Sequence, residues 1–334
     1  MNKLIKGFSL ALMLIGPTVW GVLAVYYGDS QTGLAQVCVA TVFGLFGFAV
    51  LMGVLWFRWR IQWVLGHLVL FIGILVWWLE ITPSNDRAWQ PDVSQLPYAT
   101  YEGDIVTVHN IRNFNYRSEF DYQPAYYDKS YDVTKLDGVD LFAFYWVGPA
   151  IAHTIISFNF GEQGHLAVSI ETRKELNEEY STIKGFFRQY ELIYIVADER
   201  DVIRLRSNYR KNPPEDGYLY RIKGSKESGQ RLFLGYLKKI NELHEKPQFY
   251  NTLLDNCTTA IWVRSWVSDE QLPFSWKILL SGYLPEYLYE SKLLEQQVPL
   301  SELQRQAYIN SLAQAADQAT DFSKRIRVAT TPRH

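Results

Sequence analysis

The sequence predicts an α+β domain carried behind three N-terminal membrane-spanning helices, and three observations predict it. Long apolar runs fill the first quarter of the chain and stop near residue 83. Short β-rich runs separated by turn residues follow them, and amphipathic helical patterns come last. Strands early and main helices late argue for an antiparallel sheet with packed helices rather than alternating βαβ units.

The apolar runs cover residues 4–27, 34–57 and 61–81. Each reaches the ~20 residues that cross a hydrocarbon core, with internal charge nearly absent. Trp20, Tyr26 and Tyr27 close the first run, Trp56, Trp59 and Trp63 cluster at the second turn, and Trp77 and Trp78 close the third. These are interface positions, and they account for part of an aromatic content of 15%. Lys3 and Lys6 precede the first run, and Arg58 and Arg60 lie between the second and third, whereas the opposite flanks carry Asp29, Glu80, Asp86 and Arg87. The positive-inside rule therefore puts the N-terminus in the cytoplasm and residues beyond about 83 outside. No small-x-small cleavage site follows the first run, and Ala35-Gln36-Val37-Cys38 lacks the small residue a lipid-attachment cysteine needs. Three retained spans are expected, with His67 of the third a packed residue. The domain division is 1–83 for the anchor and 84–334 for the outer domain.

Beyond the linker Ile81-Thr82-Pro83-Ser84-Asn85-Asp86, strands are expected at 104–110, 139–146, 153–158, 165–171, 192–196 and 218–222. Helices are expected at 199–209, 228–245, 256–266 and 301–322, with a disordered end from Val328. The net charge of −2 supplies no basic field for nucleic acid. The two cysteines are Cys38, inside the second apolar run, and Cys257, so no disulfide framework exists.

Cys257 lies in Leu254-Asp255-Asn256-Cys257-Thr258-Thr259-Ala260-Ile261-Trp262. With Asn256 as N-cap, Cys257 takes the first helical position, where unpaired N–H groups and the helix dipole favour thiolate and can hold an oxyanion. A nucleophilic thiol needs a base, and the outer histidines are His109, His153, His165, His244 and His334. His153 opens a β run just after Gly148-Pro149, well placed to face a helix N-terminus. His109 reads as a capped loop residue and His244 as solvated. A third group must orient the base. If the turn Gly161-Glu162-Gln163-Gly164 centres on Glu162, His153 lies opposite Glu171, and His165 lies near Asn159. If the turn centres on Asn159, His165 faces His153 instead. Both residues stand as the orienter, with the Glu171 register preferred. Alternation puts His165, Ala167, Ser169 and Glu171 on one face and leaves Leu166, Val168 and Ile170 as core on the other. A plain strand-end pair of Glu171 with Arg173 is the bland alternative.

Five blocks in order carry a resemblance: Val108-His109-Asn110-Ile111-Arg112-Asn113-Phe114, Ala152-His153-Thr154-Ile155-Ile156-Ser157-Phe158, Ser169-Ile170-Glu171-Thr172-Arg173-Lys174-Glu175, Phe186-Phe187-Arg188-Gln189-Tyr190-Glu191-Leu192-Ile193-Tyr194 and Asn256-Cys257-Thr258-Thr259. Together they resemble the Lnb N-terminal periplasmic domain family over residues 89–266. The resemblance implies a permuted papain-like fold, related to the NlpC cell-wall peptidases and to lecithin:retinol acyltransferase, with His before Cys in the chain. It implies a Cys/His thiol enzyme that forms an acyl-enzyme, with Cys257 as nucleophile, His153 as base and Glu171 or His165 as the third member. Asn256 and Arg173 are expected to meet substrate. The implied substrates are a phospholipid donor and a lipoprotein-type acceptor at the outer leaflet of the inner membrane. No cofactor and no metal are expected, since the outer His and Cys show no ligand spacing. A peptidoglycan amidase or endopeptidase, and a non-catalytic envelope sensor or assembly factor, are the alternatives.

Overall fold

The computed structural model describes residues 2–28, 33–56, 60–252 and 273–327. These fall into two units, the first made of Met1–Ala88, Lys174–Glu191 and Gln248–Asn251. The anchor unit is thus larger than residues 1–83 and takes in two later segments. Its helices are α1 (Asn2–Tyr27), α2 (Leu34–Trp56) and α3 (Arg60–Glu80). Apolar stretches long enough to cross a membrane occupy Leu34–Gly53 and Ile61–Glu80, with mean hydropathy 2.2 and 1.9. Only 22% and 11% of those residues are buried, so their apolar side chains face outward, as lipid-facing helices do and soluble core helices do not. The expected three spans are corrected to two. The described apolar part of α1 is Met13–Tyr27, shorter than a crossing needs, with Lys3 and Lys6 in the turns ahead of it. Gly21 and Gly47 lie where a Cβ would collide with Phe43 and Thr18, so small residues let α1 and α2 approach closely. His67 is fully buried among them, 3.1 Å from Thr18 Oγ1 and stacked on Phe43.

The second unit holds the sheet. Its strands are β1 (Tyr98–Glu102), β2 (Ile105–Arg112), a small ribbon of β3 (Asn115–Tyr116) and β4 (Tyr122–Gln123), β5 (Tyr126–Asp132), β6 (Gly138–Val147), β7 (Ile151–Asn159), β8 (His165–Arg173), β9 (Glu191–Ala197) and β10 (Asp216–Ile222). The order across the main sheet is β1-β2-β9-β8-β7-β6-β10, with β5 also on β2. All six expected strands are present, with ends shifted by a few residues. Strands β1 and β5 were not expected, because Tyr98-Ala99-Thr100-Tyr101-Glu102 and Tyr126-Tyr127-Asp128-Lys129-Ser130-Tyr131-Asp132 carry too few aliphatic residues to read as strands. The β2–β9 pairing is parallel, so the sheet is mixed rather than wholly antiparallel.

Both faces of the sheet are core, not one. On one face Phe158 and Tyr194 meet Phe233 and Tyr236 of helix α5 (Lys226–Glu245), with ring centroids 5.0 to 5.8 Å apart. Buried Phe233, Tyr236, Leu237, Ile240 and Leu243 recur at helical spacing, and Ser225 caps the helix by accepting from the Ser228 N–H. On the other face Phe142, Phe144, Ile155, Ala167 and Ile193 pack with Val202 and Ile203 of helix α4 (Glu199–Arg204) and with Ile309, Ala313 and Phe322. The expected helix 301–322 is three short ones, Leu300–Ala307, Asn310–Ala315 and Phe322–Arg325. It breaks where Tyr308 bridges to Tyr218 and the Ile309 N–H donates to the Gly217 carbonyl, an edge-strand bond that wins over helix continuation. The expected helix 256–266 and the end from Val328 lie outside the described residues.

Candidate active site

Strands β7 and β8 pair antiparallel with Ile155 opposite Ser169, Ser157 opposite Ala167 and Asn159 opposite His165. The turn is therefore centred on Glu162. Gly161 (φ +60°) and Gly164 (φ +88°) adopt the left-handed conformations that close it. Continuing that register sets His153 opposite Glu171, and the side chains meet.

His153 Nε2 lies 2.7 Å from Ser169 Oγ and 3.0 Å from Glu171 Oε1. Ser169 Oγ donates to Glu171 Oε1 at 2.6 Å. A hydroxyl has one proton to give, and Ser169 gives it to the carboxylate, so its oxygen accepts from the imidazole. The network thereby assigns the Nε2–H tautomer and puts the basic lone pair of neutral His153 on Nδ1. Arg206 Nη2 donates to the same Glu171 oxygen at 3.2 Å, and its Nη1 donates to Glu215 at 2.9 Å. Burial alone would raise the Glu171 carboxyl. The His153 imidazole and the Arg206 guanidinium outweigh it and hold Glu171 well below the usual carboxylate range. Burial also opposes the charge on Arg206, but Glu215 and Glu171 raise it. The arrangement is a histidine whose tautomer and orientation are held by a serine–carboxylate pair, itself braced by a buried guanidinium.

Arg206 reaches this place by a break in helix geometry. Asp198 caps α4 by accepting from the Arg200 N–H, and the helix turns π-helical over Leu205–Tyr209. Buried Asp201 anchors the same helix to the sheet, accepting from Arg112 Nε and Nη2 at 3.1 and 2.8 Å, from the Phe114 N–H at 2.7 Å and from the Tyr116 hydroxyl at 3.0 Å. Arg112 and Phe114 of the Val108–Phe114 block thus hold α4 against the sheet.

The other expected site residues divide. His165 begins β8, six residues from Glu171, about 20 Å along a strand, and is not brought to His153. Burial lowers its pKa, with Glu199 opposing. Arg173 is buried, stacked on Trp89 at 4.1 Å and donating to the Val93 and Ser94 carbonyls at 3.0 and 2.9 Å. Its guanidinium braces the chain that leads into β1. His109 stacks on Tyr98 and pairs with Asp128 at 2.8 Å. Cys257 and Asn256 lie outside the described residues. Ser169 and Arg206 were missed as participants. Ser169 had a signal, since it shares a face with Glu171 two positions away, whereas Arg206 depends on a π turn that no sequence period announces.

A cavity of about 510 Å³ lined by Tyr145, Trp146, Asp216, Tyr218, Tyr220 and Tyr283 is a separate feature. Tyr145 pairs with Ala152 and Phe144 with His153, so the cavity and the imidazole take opposite faces of the sheet.

The family model described as the Lnb N-terminal periplasmic domain matches residues 122–282, beginning after the Val108–Phe114 block and including His153, Ser169, Glu171, Arg206 and Cys257. No curated protein and no solved structure matches the chain.

Proposed function

From a chain whose residues 122–282 belong to the Lnb N-terminal periplasmic domain family, we propose a membrane-anchored extracytoplasmic enzyme that transfers or hydrolyses an acyl group through Cys257. That the protein is associated with the cell envelope follows from the family and fits two apolar helices. The permuted papain-like architecture, the inner membrane and the cytoplasmic N-terminus belong to the proposal. The observation that carries it is the bonding of His153 Nε2 to Ser169 and Glu171, which prepares Nδ1 to exchange a proton.

In this reading His153 takes the thiol proton of Cys257, and the thiolate attacks an ester carbonyl of a phospholipid. The carbon–oxygen bond breaks, imidazolium returns the proton to the departing alcohol, and a thioester remains on Cys257. An amine, such as that of a lipoprotein's N-terminal residue, or water then attacks the thioester and releases the thiol. Glu171 stays ionised throughout and stabilises the imidazolium. Anchoring holds the thiol at the surface where a donor confined to the bilayer is concentrated.

The test uses full-length protein in vesicles containing phospholipid with a labelled acyl chain. A hydroxylamine-labile label on the wild type and none on Cys257→Ala is the expected result. Label that persists on Cys257→Ala removes the cysteine from the mechanism. Addition of a lipopeptide amine then separates transfer, in which the label moves to the peptide, from hydrolysis, in which it leaves as fatty acid.

A further inference from the structure

The anchor unit contains a segment that is not part of any span. It follows directly on β8, and in it Leu176, Tyr180, Ile183 and Phe186 are 52%, 54%, 51% and 36% exposed. Four large apolar side chains within eleven residues form a patch that water disfavours. Two contacts within the same unit set its level against the helices. Arg188 Nη1 donates to the carbonyls of Trp78, Leu79 and Ile81 at 3.0, 3.0 and 3.1 Å, satisfying acceptors at the C-terminal end of α3. Its guanidinium also stacks on Trp78 at 4.1 Å. Buried Phe187 lies 6.2 Å from the rings of both Trp20 and Tyr27, and Trp20 in turn lies 5.2 Å from Trp78.

These aromatic rings form an interface belt at the ends of α1 and α3. Trp78 stands two residues before the end of α3, and Trp20 packs against it. Phe187 is therefore at the depth of the belt, not above it. Phe186, its neighbour, points outward at the same level, and the Phe186 N–H donates to the Ile183 carbonyl, tying Ile183 into the same turn. We propose that residues 174–187 form an interfacial loop whose Leu176, Tyr180, Ile183 and Phe186 side chains occupy the glycerol and upper acyl-chain zone of the bilayer that α2 and α3 cross. The occupant is phospholipid because the patch belongs to the unit of the membrane-length helices α2 and α3, its end is bonded to the last turn of α3, and no other apolar phase exists at that depth. Charge is not the attraction: the segment through Glu191 holds Lys174, Lys184 and Arg188 against Glu175, Glu178, Glu179 and Glu191. Apolar burial alone drives it, so a neutral zwitterionic membrane suffices.

The inference rests on the membrane-anchored reading above but not on the thiol chemistry. Full-length protein carrying Cys257→Ser keeps Cys38 in α2 as an internal reference; further variants carry Cys38→Ser with Leu176→Cys, Ile183→Cys or Phe186→Cys. Each thiol is labelled with an environment-sensitive fluorophore in phosphatidylcholine vesicles, against the same dye on glutathione in water. Probes at 176, 183 and 186 are expected to emit to the blue of the water reference and to lose at least half their emission to a nitroxide placed high on the lipid chain. Water-like, unquenched probes at all three positions overturn the loop while a lipid-quenched Cys38 keeps the anchor intact. A water-like probe at Cys38 as well overturns both.

Discussion

Each end of the β7–β8 hairpin gathers a histidine, a serine, a glutamate and an arginine, and the two ends are wired differently. At one end the imidazole of His153 is bonded to Ser169 and Glu171, with Arg206 behind them. At the other, Ser157 donates to Glu199 at 2.6 Å and Arg327 ties Glu199 to Asp140, with bonds of 2.6 to 3.0 Å. There the Nε2 of His165 has no hydrogen-bond partner among the described residues. The same four residue types give an oriented imidazole in one place and a structural ion cluster in the other. What distinguishes the two ends is that Glu171 reaches its imidazole as well as a guanidinium, whereas His165 Nε2 finds no hydrogen-bond partner among the described residues.

The comparison is broken most severely by exchanging the two histidines' fates. His153→Ala should slow thioester formation by about 10²- to 10⁴-fold, the usual contribution of a positioned base, whereas His165→Ala should leave it within a few-fold of wild type. Single-turnover acylation in vesicles measures both. Stability shows the reverse preference. Arg327→Met leaves Glu199 and Asp140 without a shared cation and should cost about 3–5 kcal/mol in chemical denaturation.

Acid sensitivity sharpens the contrast. Burial pushes the Glu199 carboxyl up, but Arg327 outweighs it and brings it down to about 2, from an ordinary 4.5. A depressed folded pKa gives stability that is complete above pH 4.5 and lost as pH falls toward 2, here about 3 kcal/mol. Glu199→Gln should flatten that acid limb in denaturation at graded pH. Ser169→Ala is a smaller lesion at the other end, since Glu171 still touches the imidazole. One lost hydrogen bond predicts about a tenfold slower acylation. The smallest effect is at His165, whose lowered pKa means that the unfolded chain takes up a proton first. Stability is thereby lost as pH falls through 6.5, and His165→Leu should remove that loss, raising the midpoint at pH 5 more than at pH 8.

Much of this site was legible because strand pairing has a period of two. Once Gly161-Glu162-Gln163-Gly164 is placed as the turn, His153 must oppose Glu171, and His165 must lie at the far end. The choice between Glu171 and His165 needed the turn's centre, and sequence alone allowed two. Arg206 was beyond reach because its position follows from a π turn. The fold was legible where aliphatic runs marked strands. It was not legible in tyrosine-rich β1 and β5, nor at Tyr308, where a tertiary backbone bond interrupts a good helical pattern.

The central claim is that His153, and not its counterpart at the other end of the hairpin, activates Cys257. Intact-protein mass spectrometry after brief exposure to phospholipid vesicles tests it directly. A hydroxylamine-labile acyl adduct should accumulate on the wild type and on His165→Ala and be missing from His153→Ala. An adduct that forms on His153→Ala at the wild-type rate would contradict the account.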